Sequence, residues 1–201
     1  MIESANIGVV ILAAGSSSRL GRPKQLVMFN NRPLLQHIIE VVKPFNLTPA
    51  VMVLGAHVGQ ILEGIDPGDI SVSMNKNWDE GIASSIRAGV AESKKLNDSL
   101  EHLLFLLSDQ PFVTADLIEE LIQKHVVENQ QITACRYKEN VGVPAIFHKE
   151  FFPQLLKLRG DVGAKKIIAG NRNIVSSVVF RDGAFDVDTE EDYKELTDRV
   201  K

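Results

Sequence analysis

The sequence predicts a three-layer α/β sandwich around a mostly parallel sheet. Three observations carry this expectation. Short β-rich runs alternate with longer amphipathic stretches along the 201 residues, the pattern of strands joined by helical crossovers. The run at 103–107 (LLFLL) is wholly apolar, as a strand covered on both faces must be. The first apolar run ends in a loop of glycine and serine, and such sheets bind ligands at the carboxyl ends of their strands.

The elements follow in order. Residues 7–12 form the first strand, 34–42 (LLQHIIEVV) a helix, and 50–54 a short apolar strand. A short helix covers 58–62, an alternating strand 70–74, and a long helix 82–96. After the central strand, Thr114 opens the helix 116–127 as a capping residue. Leu117 stands three places on, so the box lacks its Glu or Gln. Strands are expected at 132–137, 143–147 and 174–180, and helices at 149–158, 163–169 and 190–200.

Composition sets the limits. Hydrophobic residues are 44% and charged residues 24%, ordinary for a globular chain. No break in composition marks a linker, so one domain over 1–201 is expected. A formal net charge of -4 argues against nucleic acid as a partner. A small anion needs only a local cluster of donors. Cys135 is the one cysteine, which excludes an intrachain disulfide, fits a reducing compartment and reads as a buried strand residue. The N-terminus lacks a basic leader, and no apolar run approaches the roughly 20 residues that span a bilayer. The cytoplasm is the expected location, with no membrane partner. The histidines (His37, His57, His102, His125, His148) lack HxxxH or HExxH spacing and read as surface or core residues.

The strongest signal is LAAGSSSRLGRPKQL, residues 12–26. Ala13, Ala14 and Gly15 let the backbone approach a ligand closely. Successive N–H groups in such a turn form an anion nest. Arg19 supplies a fork suited to phosphate oxygens and Lys24 a mobile point charge. The loop has neither the three glycines of a dinucleotide fingerprint nor the GxxxxGKS or GxxxxGKT of a P-loop.

Carboxylates stand in two further segments. SDQP directly follows the central apolar run, which places Asp109 at the carboxyl end of that strand, facing the same crevice. A carboxylate there suits Mg²⁺, which takes one or two carboxylates plus substrate phosphates. A helix-entry turn is the other reading. In FDVDT, Asp186 and Asp188 stand two apart, on one face if the segment is extended. Capping of the last helix by Asp188 or Thr189 is the alternative. In NKNWDEGIASSIRAG, Gly81 precedes a helix whose N-terminus suits an anion, and Trp78 reads as packing over that helix start.

The loop 12–26 resembles the signature LAAGxSSRxGxxKxL of the molybdenum-cofactor (MobA-like) nucleotidyltransferase family, nearest its cytidylyltransferase branch. The guanylyltransferases of the family usually carry glycine where this chain has Ala14, and Asp-Lys where it has Pro23-Lys24. Leu20 departs from the family's methionine. Four further segments resemble the family in the right order: NxxWxxGxxxSxxxG at Asn75 to Gly89, GxPxxF at Gly142, Pro144 and Phe147, GDxGA at Gly160 to Ala164, and DIDTxED at Asp186 to Thr189.

The resemblance implies a Rossmann-like fold of the nucleotide-diphospho-sugar transferase type. It implies that Leu12, Ala13, Ala14, Gly15, Arg19, Lys24, Gly81, Ser85 and Asp109 bind the nucleotide. Arg19, Lys24 and Asp109 would be catalytic, and Asp109 with Asp188 would hold Mg²⁺ or Mn²⁺. Gly142, Pro144, Gly160, Asp161 and Gly163 would form the acceptor side. The expected reaction is transfer of CMP from CTP to a molybdopterin-type acceptor. The expected rivals are a nucleotidyltransferase making a sugar- or polyol-linked nucleotide, and a non-catalytic partner that delivers cofactor to a molybdenum hydroxylase.

Overall fold

In a computed structural model, which describes residues 6–199, strand β1 (Ile7–Ala13) runs through the middle of the sheet with all seven residues buried. Residues 1–5 and 200–201 lie outside the described range, and with them Val200, the end of the expected last helix. After β1 come a small hairpin, β2 (Met28–Phe29) and β3 (Arg32–Pro33), then α1 (Leu34–Val42), β4 (Ala50–Leu54), α2 (Val58–Gly64) and β5 (Ser71–Met74). Next are α3 (Ile82–Leu96), β6 (His102–Leu107), α4 (Ala115–Val127), β7 (Ile132–Tyr137) and β8 (Asn140–His148). The chain closes with α5 (Phe152–Leu155), α6 (Lys165–Gly170), β9 (Val175–Val179) and α7 (Glu190–Arg199).

The seven-stranded sheet has the order β5-β4-β1-β6-β8-β7-β9. Strands β5, β4, β1 and β6 are parallel, and β9 is parallel to β7. Only β8 is reversed, antiparallel to both β6 and β7. The pleat of β1 splits its side chains between two cores. Ile7, Val9 and Ile11 face α1 and α4, through Leu35, Ile38, Leu117 and Leu121. Val10 and Leu12 face α3, α5 and α6, through Ile86, Val90, Leu155 and Ile168. Helix α3 lies so close that a Cβ on Gly89 would strike Val10.

The chain winds outward from β1 to β4 and β5, then crosses to β6 on the other side of β1. The carboxyl ends of β1 and β6 therefore meet at the switch point, where Leu12 pairs with Leu107. Ser108 N–H donates to Leu12 O at 3.2 Å, which brings Asp109 beside the glycine loop.

Three expectations need correction. The helix expected at 149–158 is a 3₁₀ turn followed by the single turn of α5. After α5 the backbone continues in three-residue turns, Lys157 N–H donating to Gln154 O at 3.1 Å and Leu158 N–H to Leu155 O at 3.3 Å. Arg87 and Arg159 each donate to Leu158 O at 2.8 Å, and Arg159 to Leu156 O at 3.2 Å. The helix expected at 163–169 starts at Lys165, without a side-chain cap. The strand expected at 143–147 runs back to Asn140 through a tight turn, with Lys138 at φ 52°. Its ladder to β6 stops at Phe105–Ala145, next to Pro144, which has no N–H to donate. Thr114 caps α4 as expected, accepting from Leu117 N–H at 3.2 Å.

Far from the switch point, three histidines meet at the other end of β6. His125 Nε2 lies 2.9 Å from His102 Nδ1, and His125 Nδ1 lies 3.0 Å from Thr133 Oγ1. The His102 and His148 rings are 5.1 Å apart. Burial, with His102 and His148 beside it, pushes the His125 pKa down to about 3. The unfolded chain therefore binds more protons than the folded one once pH falls below about 6.5, so this contribution to stability is full above that pH and lost below it. Thermal unfolding followed by circular dichroism from about pH 7 to about pH 5 should show wild type losing stability by up to about 1.4 kcal/mol per pH unit for each proton taken up. His125→Gln should flatten that slope. An equal slope in both proteins would rule out His125 as the source.

Candidate functional site

The glycine loop presents donors to one side because its acceptors are tied to the other. Gln25, fully buried, donates its amide to Ala13 O at 2.8 Å and Gly15 O at 3.1 Å. Ala56 N–H donates to Ala14 O at 3.1 Å, and His57 Nε2 lies 3.2 Å from Ser16 O. Among the described residues, the N–H groups of Gly15, Ser16, Ser17 and Ser18 meet no protein acceptor. Ser17 sits at φ 54° and its hydroxyl accepts from Lys24 N–H at 3.0 Å. The loop thus forms a turn of free donors, the arrangement that receives anions.

A cavity of about 330 Å³ opens against this loop, within the size range of small-ligand sites. Leu12, Ala13, Ala14, Gly15, Lys24 and Asp109 line one side. Trp78, Asp79, Gly81, Ser85 and Asp161 line the other. Trp78 packs against Gly55, whose missing Cβ leaves it room, and presents its remaining surface to the cavity.

Charge concentrates around Lys24. Its ammonium donates to Asp109 Oδ2 and, at 2.8 Å, to Asp188 Oδ1. Arg19 donates to Asp188 Oδ2 at 2.7 Å. Arg19 and Asp188 lie beyond Lys24, outside the cavity lining. Burial alone would lower the Lys24 pKa, but attraction and hydrogen bonds to Asp109, then to Asp188, raise it above its usual value. Burial opposes ionisation of Asp188, yet the hydrogen bond and charge of Lys24, with Arg19, hold its pKa below the usual range. Burial, then repulsion from Asp109 and Asp188, pushes Asp186 up to about 6.

Local structure leaves Asp188 free for this cluster. Thr189, not Asp188, caps α7: Thr189 N–H donates to Asp192 Oδ2 at 2.7 Å, and Asp192 N–H donates to Thr189 Oγ1 at 3.2 Å. This is a reciprocal capping box. Val187 N–H donates to Asp109 O at 3.1 Å. Leu20, Val27, Phe29, Leu34, Val187 and Leu196 form a third small core that seats the C-terminal segment against the glycine loop.

A divalent cation fits this donor set. Asp109 Oδ1 is buried and has no hydrogen-bond partner, and the same holds for Asp186 Oδ1. Among the described residues no group of three or more His, Cys, Asp or Glu converges to hold a metal. A cation here would complete its shell with phosphate oxygens, as Mg²⁺ commonly does.

The start of α3 and the loop at 160–163 form one wall. Gly81 stands at φ 102°, and a Cβ there would strike Asp161 Oδ1 and the Gly160 backbone. Ala83 N–H donates to Gly160 O at 3.1 Å, and Gly163 faces Ile82. Asn75, buried, holds Ser84 and Ser85 through its amide at 2.8 and 3.1 Å.

The residues expected on the acceptor side divide at the lining of the cavity. Asp161 faces the cavity that the glycine loop lines, and it caps no helix. Gly142 is filled by the Tyr137 hydroxyl, and neither it nor Pro144 lines the cavity. Gln25 and Asp79 went unmarked in the sequence reading. Gln25 has a weak signal, its place directly after Lys24; Asp79 has none, since nothing in a sequence says where an exposed carboxylate points.

The chain matches the MobA-like NTP transferase domain over residues 9–175. It belongs to that family. Nicotine blue oxidoreductase from Paenarthrobacter nicotinovorans is 28% identical, with 90% of this chain and 92% of that one covered. A molybdenum cofactor guanylyltransferase from Vibrio parahaemolyticus is 26% identical, with 84% and 81% covered. The crystal structure of Rv0371c from Mycobacterium tuberculosis H37Rv is 29% identical and superposes with a TM-score of 0.84, covering 96% of this chain and 97% of that one. A second structure of that protein is a manganese complex, with a TM-score of 0.80. The fold is the nucleotide-diphospho-sugar transferase type, shared with solved nucleotidyltransferases only 19% and 14% identical. Among the described residues no helix is long and apolar enough to cross a membrane.

The cluster makes a stability prediction. Lys24→Met leaves Asp109 and Asp188 facing each other without their shared cation. Removing one partner from a largely buried ion pair costs about 3 kcal/mol. Urea unfolding should show a loss of that order, and an unchanged midpoint would mean that solvent already screens the pair.

Proposed function

We propose that this chain is a nucleotidyltransferase that moves CMP from CTP to the phosphate of a molybdopterin-type acceptor and releases pyrophosphate. One observation supports the reaction class above others. Lys24 and Asp109 line the same cavity as the donor-only loop. A triphosphate lying along the loop would meet backbone N–H groups, an ammonium and a carboxylate at one strand end.

The acceptor phosphate attacks the α-phosphorus in line, and the pyrophosphate oxygen departs. No protein nucleophile is needed, because positioning and charge neutralisation carry most of the catalysis in phosphoryl transfer. Gly15 to Ser18 receive phosphate oxygens through their N–H groups. Lys24 and Arg19 exchange carboxylate partners for phosphate oxygens and stabilise the developing charge. Leu12, Ala13, Ala14, Gly81 and Ser85 surround the nucleoside, and Asp161 faces it from the loop at 160–163. A magnesium or manganese ion held by Asp109 and Asp188 would neutralise the leaving pyrophosphate. The manganese complex of the Rv0371c relative supports a divalent ion at this fold.

Two residues favour cytidylyl over guanylyl transfer. Ala14 stands where the guanylyltransferases usually have glycine, and Pro23 stands where they have aspartate. The molybdenum cofactor guanylyltransferase relative supports the acceptor class.

A second reading keeps the fold and changes the reaction. A relative named as an oxidoreductase spans nine-tenths of both chains, which makes redox chemistry the alternative to test. Pyrophosphate release separates the two. The nucleotidyltransferase reading predicts acceptor-dependent pyrophosphate from CTP, and a fall of about a hundredfold or more in Asp109→Ala. Release from GTP in preference to CTP would overturn the cytidylyl assignment. No release from any nucleoside triphosphate in the presence of acceptor would favour the oxidoreductase reading.

A further inference from the structure

Gln25 is set apart by where it is and what it leaves undone. It is fully buried, yet its side chain is polar. Its amide nitrogen bridges Ala13 O and Gly15 O. Its Oε1 has no donor at all. A residue serving the core alone would be better apolar, since a buried acceptor without a partner is a cost. The amide supplies two donors, and both bond the glycine loop.

Those bonds decide which way the loop faces. A peptide unit carries its carbonyl and the following N–H on opposite sides. Holding the carbonyl of Gly15 inward turns the N–H of Ser16 outward. His57 does the same for the next unit, with Nε2 at 3.2 Å from Ser16 O, and this turns the Ser17 N–H outward. His57 itself stands at φ 58°, which aims it back over the loop from the end of β4. Ala56 N–H secures Ala14 O between them. Without these anchors the carbonyls could rotate toward the cavity and repel an anion.

We infer that Gln25, assisted by His57, is a positioning residue that fixes the glycine loop with its donors outward and so sets the affinity of the site for the phosphate chain of the nucleotide. The inference rests on the functional reading above. Neither residue lines the cavity; both bond carbonyls of the loop. The specificity this confers is for phosphate as a class, not for any base.

Inorganic tripolyphosphate is the probe, because it carries the phosphate chain without a base. Its binding is measured by isothermal titration calorimetry with manganese present, on wild type, Gln25→Met and His57→Ala. Gln25→Met keeps the volume of the buried side chain and removes both donors. It should weaken tripolyphosphate about tenfold or more, and His57→Ala a few-fold. In turnover with CTP the loss should appear mainly in KM, whereas damage to the fold would lower the fraction of active protein and so kcat. His57 is exposed, so its variant remains informative if Gln25→Met does not fold. Wild-type binding with unchanged affinity in either variant overturns the inference and leaves the functional reading standing. Absence of tripolyphosphate binding by wild type overturns both.

Discussion

One lysine ammonium holds three distant parts of the chain at a single point. Lys24 is 85 residues from Asp109 and 164 from Asp188, and its side chain bonds both carboxylates. Everything else in the fold serves to bring those three together. Strand β1 delivers the glycine loop, β6 beside it delivers Asp109, and the small core around Val187 and Leu196 brings back the C-terminal segment. Lys24 and Asp109 are poorly solvated, so their charges need one another. A triphosphate with a divalent cation offers each of them a new partner of the right sign. That exchange is how a site can be stable when empty of substrate and still bind a highly charged ligand.

The sheet itself was legible because burial leaves a plain mark on composition. The run 103–107, short and apolar throughout, reads as a strand covered on both faces. The glycine loop was legible because only small residues allow close backbone approach, and Arg19 and Lys24 stood inside it. What could not be read is contact made through single hydrogen bonds. Nothing in residues 149–158 says that Arg87 and Arg159 will bond the carbonyls of Leu156 and Leu158. The meeting of Gly81 with Asp161 and Gly160 depends on a positive φ and a missing Cβ, 80 residues away in sequence. The histidine cluster is similar. His102 and His148 are paired across β6 and β8, which no spacing rule for metal motifs would find.

The resemblance and the geometry differ in one instructive place. By likeness, the segments at 142–144 and 160–163 belong together on the acceptor side. In the structure the second of them walls the cavity that the glycine loop also lines, while the first packs under Tyr137. Pro144 stands where the ladder between β6 and β8 ends, so its segment shapes the sheet beside Asp109 without reaching the cavity.

On this reading the glycine loop and the Lys24 cluster form one site for a nucleoside triphosphate with a divalent cation. Thermal stabilisation by each of the four common ribonucleoside triphosphates, with and without Mg²⁺ or Mn²⁺, tests it most directly. A ligand that binds only the folded state adds about 2.7 kcal/mol at a hundred times its dissociation constant. The account predicts a clear rise in melting temperature with CTP and metal together, and a smaller one with either alone. No rise with any triphosphate, whichever metal is present, would contradict it.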